Sequence, residues 1–313
     1  MSNRTRIAVK GMTHPVAAGS LWQVSTGGLG QSDTHSLVCG RNRTIGEAVK
    51  TLKPGDTLLV SGTCNENVSL DQEVQRITLD GQGSATINGA ATGNTVTVTG
   101  LGITIRGFTI TGGAQGIAVL DGGSAVIDGN TIENAAMNGI TVFRNSTAHI
   151  INNTIQNNAS SGIQLQASAA GRIGFTGPPS ARVSAPNVIQ NNGGTGIQVL
   201  RASAAQIFSN TIRNNAGHGV LVDRNAQAEI GACLITGNTG DGIRGMRNAG
   251  LDIGTDTTGA TPQFDDDTNT GTNGGFGVRC MIAGYMDGRL GTLTGVLGGK
   301  GVSTEGCVDS VVP

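Results

Sequence analysis

The sequence predicts an all-β chain wound into a solenoid, and three observations predict it. Glycines open a repeated unit at Gly116, Gly139, Gly162, Gly196, Gly219 and Gly242, with separations of 23, 23, 34, 23 and 23 residues. A constant period of this kind marks stacked repeats, and the longer interval is one unit carrying 11 extra residues. Each unit also holds three short runs: Gly139-Ile140-Thr141-Val142, Ala148-His149-Ile150 and Asn153-Thr154-Ile155 recur as Gly219-Val220-Leu221-Val222, Ala228-Glu229-Ile230 and Cys233-Leu234-Ile235. The composition agrees. Fifty-two glycines in 313 residues, with 13% charged and 3% aromatic residues, suit tight turns around a thin interior of small and β-branched side chains.

Taken in order, residues 1–38 match no repeat and read as a flexible N-terminal arm, leaving 39–313 as a single solenoid domain with a cap at each end. Thr44 and Glu47 form a capping-box pair, and Ile45, Ala48, Val49 and Leu52 then share one helical face until Pro54-Gly55 stops it. This short capping helix is expected to cover the open end of the first rung. The segments Pro54-Gly55-Asp56-Thr57-Leu58-Leu59-Val60 and Gly62-Thr63-Cys64-Asn65-Glu66-Asn67-Val68 begin the strands. Ile77, Leu79, Ile87, Val96, Val98, Ile103, Ile105 and Ile110 continue them with looser spacing.

This opening rung resembles that of right-handed parallel β-helix proteins of the pectate-lyase-like group, with Cys64 where an aromatic residue is common, and the likeness runs over about residues 39–285. The period agrees, since a turn of about 22 to 25 residues suits a three-stranded rung and parallel crossovers are right-handed. The fold class is therefore a right-handed parallel β-helix. Roughly nine rungs spaced about 4.8 Å would stack to on the order of 40 Å.

Stacking explains the aligned residues. Ile127, Ile150, Ile173, Ile207, Ile230 and Ile253 are expected to form one interior ladder, and Ile132, Ile155, Ile189, Ile212 and Ile235 another. Asn130, Asn153, Asn187 and Asn210 form a third, structural one, because a carboxamide at a bend can bond its own turn and the amide stacked beside it. The extra residues lie between Ile173 and Pro186, where Pro178, Pro179 and Pro186 forbid ladder bonding and force a loop. A second excursion, Thr255 to Gly275, contains Asp265, Asp266 and Asp267. These could hold calcium, but lack the glycine and terminal glutamate of an EF-hand loop and read as a solvated acidic run.

Cys39 and Cys64 flank the first ordered segment and Cys280 and Cys307 the last, so two bridges are expected at the two ends, with Cys233 a buried thiol in the asparagine slot. Such a pattern suits an extracellular, periplasmic or cell-surface protein, although no apolar core of about 7 to 15 residues marks a signal peptide. No run of about 18 to 20 apolar residues could span a membrane. A net charge of −1 without clustered basic and aromatic residues argues against nucleic acid.

In the group that this chain resembles, the outward face of the first strand is the usual binding groove. Alternation places Thr141, Gln164, Gln198, Leu221 and Arg244 in one outward row and Phe143, Gln166, Leu200, Asp223 and Met246 in the next. Beyond them come Asp121, Arg144, Ala167, Arg201, Arg224 and Arg247. Four arginines on one edge repel one another unless an anion lies across them, which suits an acidic polysaccharide or cell-surface glycan. The expected substrate-binding residues are thus Arg144, Gln164, Gln198, Arg201, Arg224 and Arg247.

Gly217-His218-Gly219 opens the strand carrying Asp223, and Asp241 stands one period after His218. The triplet resembles the Gly-His-Gly element of polygalacturonan hydrolases. Glycoside hydrolysis needs paired carboxylates, yet the equivalent positions in earlier rungs are Thr195, Ser161 and Asn138, which disfavours a hydrolase. A lyase or C5-epimerase must neutralise a sugar carboxylate and abstract the adjacent proton. Arg244 and Arg247 could do the first and His218 the second, giving His218, Asp223, Asp241 and Arg244 as the candidate catalytic group. The Trp-Ile-Asp-His signature of pectate lyases and the Asp-Pro-His triplet of mannuronan epimerases are both absent. The sequence therefore favours glycan binding by a polar face, with polyuronate elimination or epimerisation as the alternative, and no cofactor.

Overall fold

Each unit turns its three apolar runs into the same three strands. In the unit from Gly139 these are Ile140–Phe143, Thr147–Ile151 and Thr154–Gln156. The computed structural model describes residues 32–40, 43–178, 181–254, 268–297 and 301–309. Each strand pairs in parallel with its counterpart one unit on, so that Ile140, Ile163, Ile197, Val220, Ile243 and Val278 stand in register. First strands make a ten-stranded sheet from Val68–Leu70 to Val302–Glu305, and second and third strands belong to a twenty-stranded sheet. The stack has about 11 turns, more than the nine expected. The irregular runs before Gly116 stack as well: Thr78–Gly89 pairs along Ile103–Gly112 with a register shift between Asp80 and Ala85.

The interior contains the two expected isoleucine ladders beside the first-strand rows, in which Ile140, Ile163, Ile197, Val220 and Ile243 are equally buried. Ile127, Ile150, Ile173, Ile207, Ile230 and Ile253 are Cα partners in succession, as are Ile132, Ile155, Ile189, Ile212 and Ile235. All are fully buried. Burial of each contributes about 1.5 to 3 kcal/mol, which lets a core one side chain deep hold the rung closed.

Inward-turning corners leave backbone amides without a strand partner, and asparagines supply the acceptors. The N–H groups of Asn130, Asn153 and Asn187 donate to Oδ1 of Asn153, Asn187 and Asn210 at 2.9, 2.9 and 3.1 Å. A second ladder, not foreseen from the sequence, runs through Asn158, Asn192, Asn215, Asn238 and Asn273 at the corner after the third strand. In the first ladder Cys233 replaces a carboxamide. Its amide donates to Asn269 Oδ1, while its thiol lies against the carbonyl of Gly231.

Both ends are stapled as expected, by Cys39–Cys64 and Cys280–Cys307, with Cys233 buried outside the bridges. The helix Ile45–Ala48 carries the full capping box at Thr44, then tightens into a 3-10 turn over Val49–Thr51. Glu66 accepts from the N–H groups of Ile45 and Gly46, and Ile45 and Val49 are buried against the first rungs. Part of the segment expected as an arm is ordered: Thr34–Val38 pairs in parallel with Thr57–Ser61, so the solenoid begins before residue 39. Residues 1–31 lie outside the described residues. Asp56 clamps this junction. Its carboxylate accepts from the N–H groups of Lys53 and Asp33, which hold it below the ordinary aspartate pKa, and approaches the ring of His35 at 3.3 Å.

The extra residues after Ile173 leave the ladders and form a small antiparallel hairpin, Phe175–Thr176 with Val183–Ser184. The second excursion ends before Gly275, since Thr270–Asn273 is already a strand. Asp265, Asp266 and Asp267, and with them the calcium expectation, lie outside the described residues. Among the described residues no helix is long and apolar enough to cross a membrane.

The ladder makes a testable asymmetry. A thiol accepts weakly, so Cys233→Asn should restore the carboxamide that Asn210 lacks on that side and raise stability by about 0.5 to 1.5 kcal/mol. Asn187→Ala, which deprives Asn153 of its acceptor, should cost about 1 to 3 kcal/mol. Urea unfolding of the two variants beside the parent measures both; destabilisation by Cys233→Asn would contradict the ladder account.

Candidate functional site

The two rows expected to face outward on the ten-stranded sheet run in register, but Thr141, Leu200 and Asp223 within them are buried. Thr141, Gln164, Gln198, Leu221 and Arg244 are successive Cα partners, and the row continues to Arg279. Gln164 donates to Gln198 at 2.8 Å, so this stretch of the row is neutral and its side chains are tied to one another. The charge lies at the C-terminal end.

There the corner preceding each first strand brings His218, Asp241 and Arg244 together. The backbone N–H of Asp241 donates to Nδ1 of His218 at 2.9 Å, and Arg244 Nη1 lies 3.1 Å from His218 Nε2. Asp241 Oδ1 accepts from the amide of Phe276, while Oδ2 sits 3.6 Å from His218 Nδ1 and 3.8 Å from Arg244 Nε without forming a hydrogen bond. Gly240 makes the stacking possible, since a Cβ there would meet His218 Nδ1 at 2.5 Å. Burial pushes the His218 pKa down, Asp241 opposes this, and Arg244 and Arg279 lower it further.

Arg279 is the residue sequence reasoning missed. It stacks on Phe276, 5.2 Å from the ring centroid, and is the register partner of Arg244. The excursion from Thr255 separates the two by 35 positions rather than 23. The signal was present in Gly277-Val278-Arg279, which repeats Gly242-Ile243-Arg244. Two guanidiniums in successive rungs thus act on His218, and both lower its pKa.

Hydrogen placement sharpens this. With Nδ1 accepting from the Asp241 amide, a neutral imidazole carries its proton on Nε2. That proton points at the Arg244 guanidinium, so two donors face each other. An anionic oxygen bridging the two from one side, about 2.8 Å from each nitrogen, would accept from both.

Asp223 does not join this group. It lies at the far end of the strand Val220–Asp223, buried and clamped by Arg247 through Nε to Oδ1 at 2.8 Å and Nη2 to Oδ2 at 2.7 Å, with Arg224 Nε 3.8 Å from Oδ2. Arg144 pairs with Asp121 at 3.2 Å. Of the arginine edge, only Arg201 has no carboxylate partner among the described residues. The edge therefore carries most of its own counter-charge, and its arginines occupy left-handed turn positions, with φ from 52° to 59°, rather than strand.

A family model described as right handed beta helix region matches residues 60–177 and 183–261. The chain belongs to the right-handed β-helix family. Among solved structures, this β-helix protein is similar to an alginate lyase from Paenibacillus sp. strain FPU-7, at 17% identity and a TM-score of 0.44 over 89% of this chain and 99% of that one. It is also similar to the A-module of a mannuronan C-5 epimerase from Azotobacter vinelandii, at 13% identity and 0.46 over 89% and 85%. A pectate lyase aligns at 11% and 0.43 over 86% and 79%. At this level of likeness they assign no activity or substrate. No curated protein sequence matches the chain.

The His218 environment predicts its titration. Because the folded pKa is lowered, the unfolded chain binds this proton first as pH falls below about 6.5, so acidification through that range costs stability. Arg244→Met, which keeps bulk but removes charge, should move the His218 pKa up, and Asp241→Asn should move it further down. Histidine NMR titration of both variants reads the two signs; shifts in the same direction would refute the assigned causes.

Proposed function

We propose that this β-helix protein binds an acidic polysaccharide along the outward face of the ten-stranded sheet, with one sugar carboxylate seated between His218, Arg244 and Arg279. The observation that carries this reading is the facing pair of donors, His218 Nε2–H and Arg244 Nη1, beside a second guanidinium in register. A carboxylate supplies oxygens to both and accepts charge-assisted bonds from planar forks. The stacked glutamines Gln164 and Gln198 continue the row away from this anchor and offer amides to sugar hydroxyls. Of the arginine edge, Arg201 is the member best placed to add an ionic contact; Arg144, Arg224 and Arg247 already have carboxylate partners. Two disulfides favour an oxidising compartment, where such glycans are found.

A second reading keeps the anchor and adds chemistry. This reading requires the other His218 tautomer, with the proton on Nδ1 toward Asp241 Oδ2, 3.6 Å away, in place of the bond from the Asp241 amide. With Arg244 and Arg279 neutralising the carboxylate, the Nε2 lone pair could then take the proton from the adjacent carbon. The electron pair left on carbon would then expel the glycosidic oxygen, which takes a proton from water, to give an unsaturated uronate, or accept a proton from water on the opposite face to give the epimer. The depressed His218 pKa supports it, since a base must be unprotonated at working pH.

Titration with polygalacturonate, alginate and a neutral glucan, together with absorbance of unsaturated product, tests both. Binding of an acidic polymer should weaken about tenfold or more in Arg244→Ala with Arg279→Ala, weaken less in Arg201→Ala, and fall with salt as screening shortens to about 8 to 10 Å. No acidic polymer bound at low salt would overturn the proposal; binding without product or epimer would remove only the second reading.

A further inference from the structure

A second groove lies on a different face, formed by the second strands. It encloses about 670 Å³ and runs along the stack from Gly102 to Tyr285. Its floor is the sheet backbone at Ala148, Gly171, Ala205 and Ala228, which are successive register partners. One rim is low: Thr147, Ala170, Ala204 and Gln227 follow one another, then Gly250 and Tyr285. The Tyr285 ring lies over Gly250, where a Cβ would meet it at 2.7 Å, and is half exposed, a flat platform closing one end.

The other rim is polar and braced. His149 contacts the carbonyl of Phe175 at 2.6 Å, Arg172 donates to the carbonyl of Gly177, and Glu229 accepts from Arg182 at 2.6 Å and from Gln206 at 2.8 Å. Arg182 is itself stacked on Phe208, 3.9 Å from the ring centroid. All three backbone or ionic partners, Phe175, Gly177 and Arg182, belong to the inserted segment. The extra residues therefore hold a row of long side chains in place that would otherwise fan into solvent, which lowers the ordering cost of a ligand bound there.

We infer that this groove is a binding site for a neutral linear oligosaccharide, independent of the anionic site. Three features select that class. Arg182 is paired with Glu229, and Arg172 and Asp252 add one charge of each sign, so these four rim charges sum to zero and offer no net attraction to a polyanion. The floor amides are committed to the parallel ladder, so an extended peptide would lay its own N–H and C=O groups on backbone that cannot answer them. A sugar chain instead presents C–H faces to the floor and hydroxyls to Thr147, Gln206 and Gln227, and can stack its last ring on Tyr285. Rungs repeat about every 4.8 Å, close to one sugar ring per rung, so the same contacts recur along the chain.

Calorimetric titration with cellohexaose, xylohexaose, mannohexaose and maltohexaose tests this on the full chain. At least one should bind, with little dependence on salt. Ala204→Trp, which fills the groove from an exposed position, should weaken it about tenfold or more, and Gln206→Ala with Gln227→Ala should weaken it without adding bulk. Arg244→Ala should leave it unchanged, which separates this site from the anionic one. Equal binding by parent and both groove variants, no binding of any of the four sugars, or binding of an extended peptide pool in their place would overturn the inference.

Discussion

A parallel ladder at constant register sets each residue on the equivalent residue of the next rung, about 4.8 Å away. The repeated part of this protein follows from that constraint. An apolar residue repeated every 23 positions becomes a continuous ladder, as Ile127 to Ile253 shows. A carboxamide repeated at a corner becomes a chain of hydrogen bonds that closes the turn above it. Stability is then distributed along the axis and depends on each rung matching its neighbours. The ends have a neighbour on one side only, and that is where the capping helix and both disulfides are found.

The same stacking is hazardous for charge. Arginines in consecutive rungs stand closer than exposed like charges tolerate without counter-ions. The chain resolves this at the turn by burying Asp223 between Arg224 and Arg247 and by pairing Arg144 with Asp121. At Arg244 and Arg279 two guanidiniums follow one another in register on the strand face, and the His218 pKa is lowered by burial and by their field.

Insertions escape the constraint, and so they carry what is individual to this chain. The hairpin after Ile173 leaves the ladders and returns over the second-strand face to hold His149, Arg172 and Glu229. The excursion beginning at Thr255 delays the next first strand without altering its register, so Val278–Met281 still pairs with Ile243–Met246. Function in such a solenoid is expected where the repeat is interrupted, because repetition alone makes every rung alike.

The sequence by itself determined the solenoid, its three-stranded rung, the isoleucine and first asparagine ladders and the pairing of Cys39 with Cys64 and Cys280 with Cys307, because a fixed period is converted into contacts without knowledge of distant structure. It also brought His218, Asp241 and Arg244 to one place, since they lie within about one period of each other. Only the tertiary structure decided that Asp223 is clamped by Arg247, that Arg279 completes the cluster, and that the inserted hairpin braces a second groove. Those outcomes depend on how side chains divide a few hydrogen bonds among themselves, and on where the chain re-enters register after leaving it. Periodicity carries no information about either.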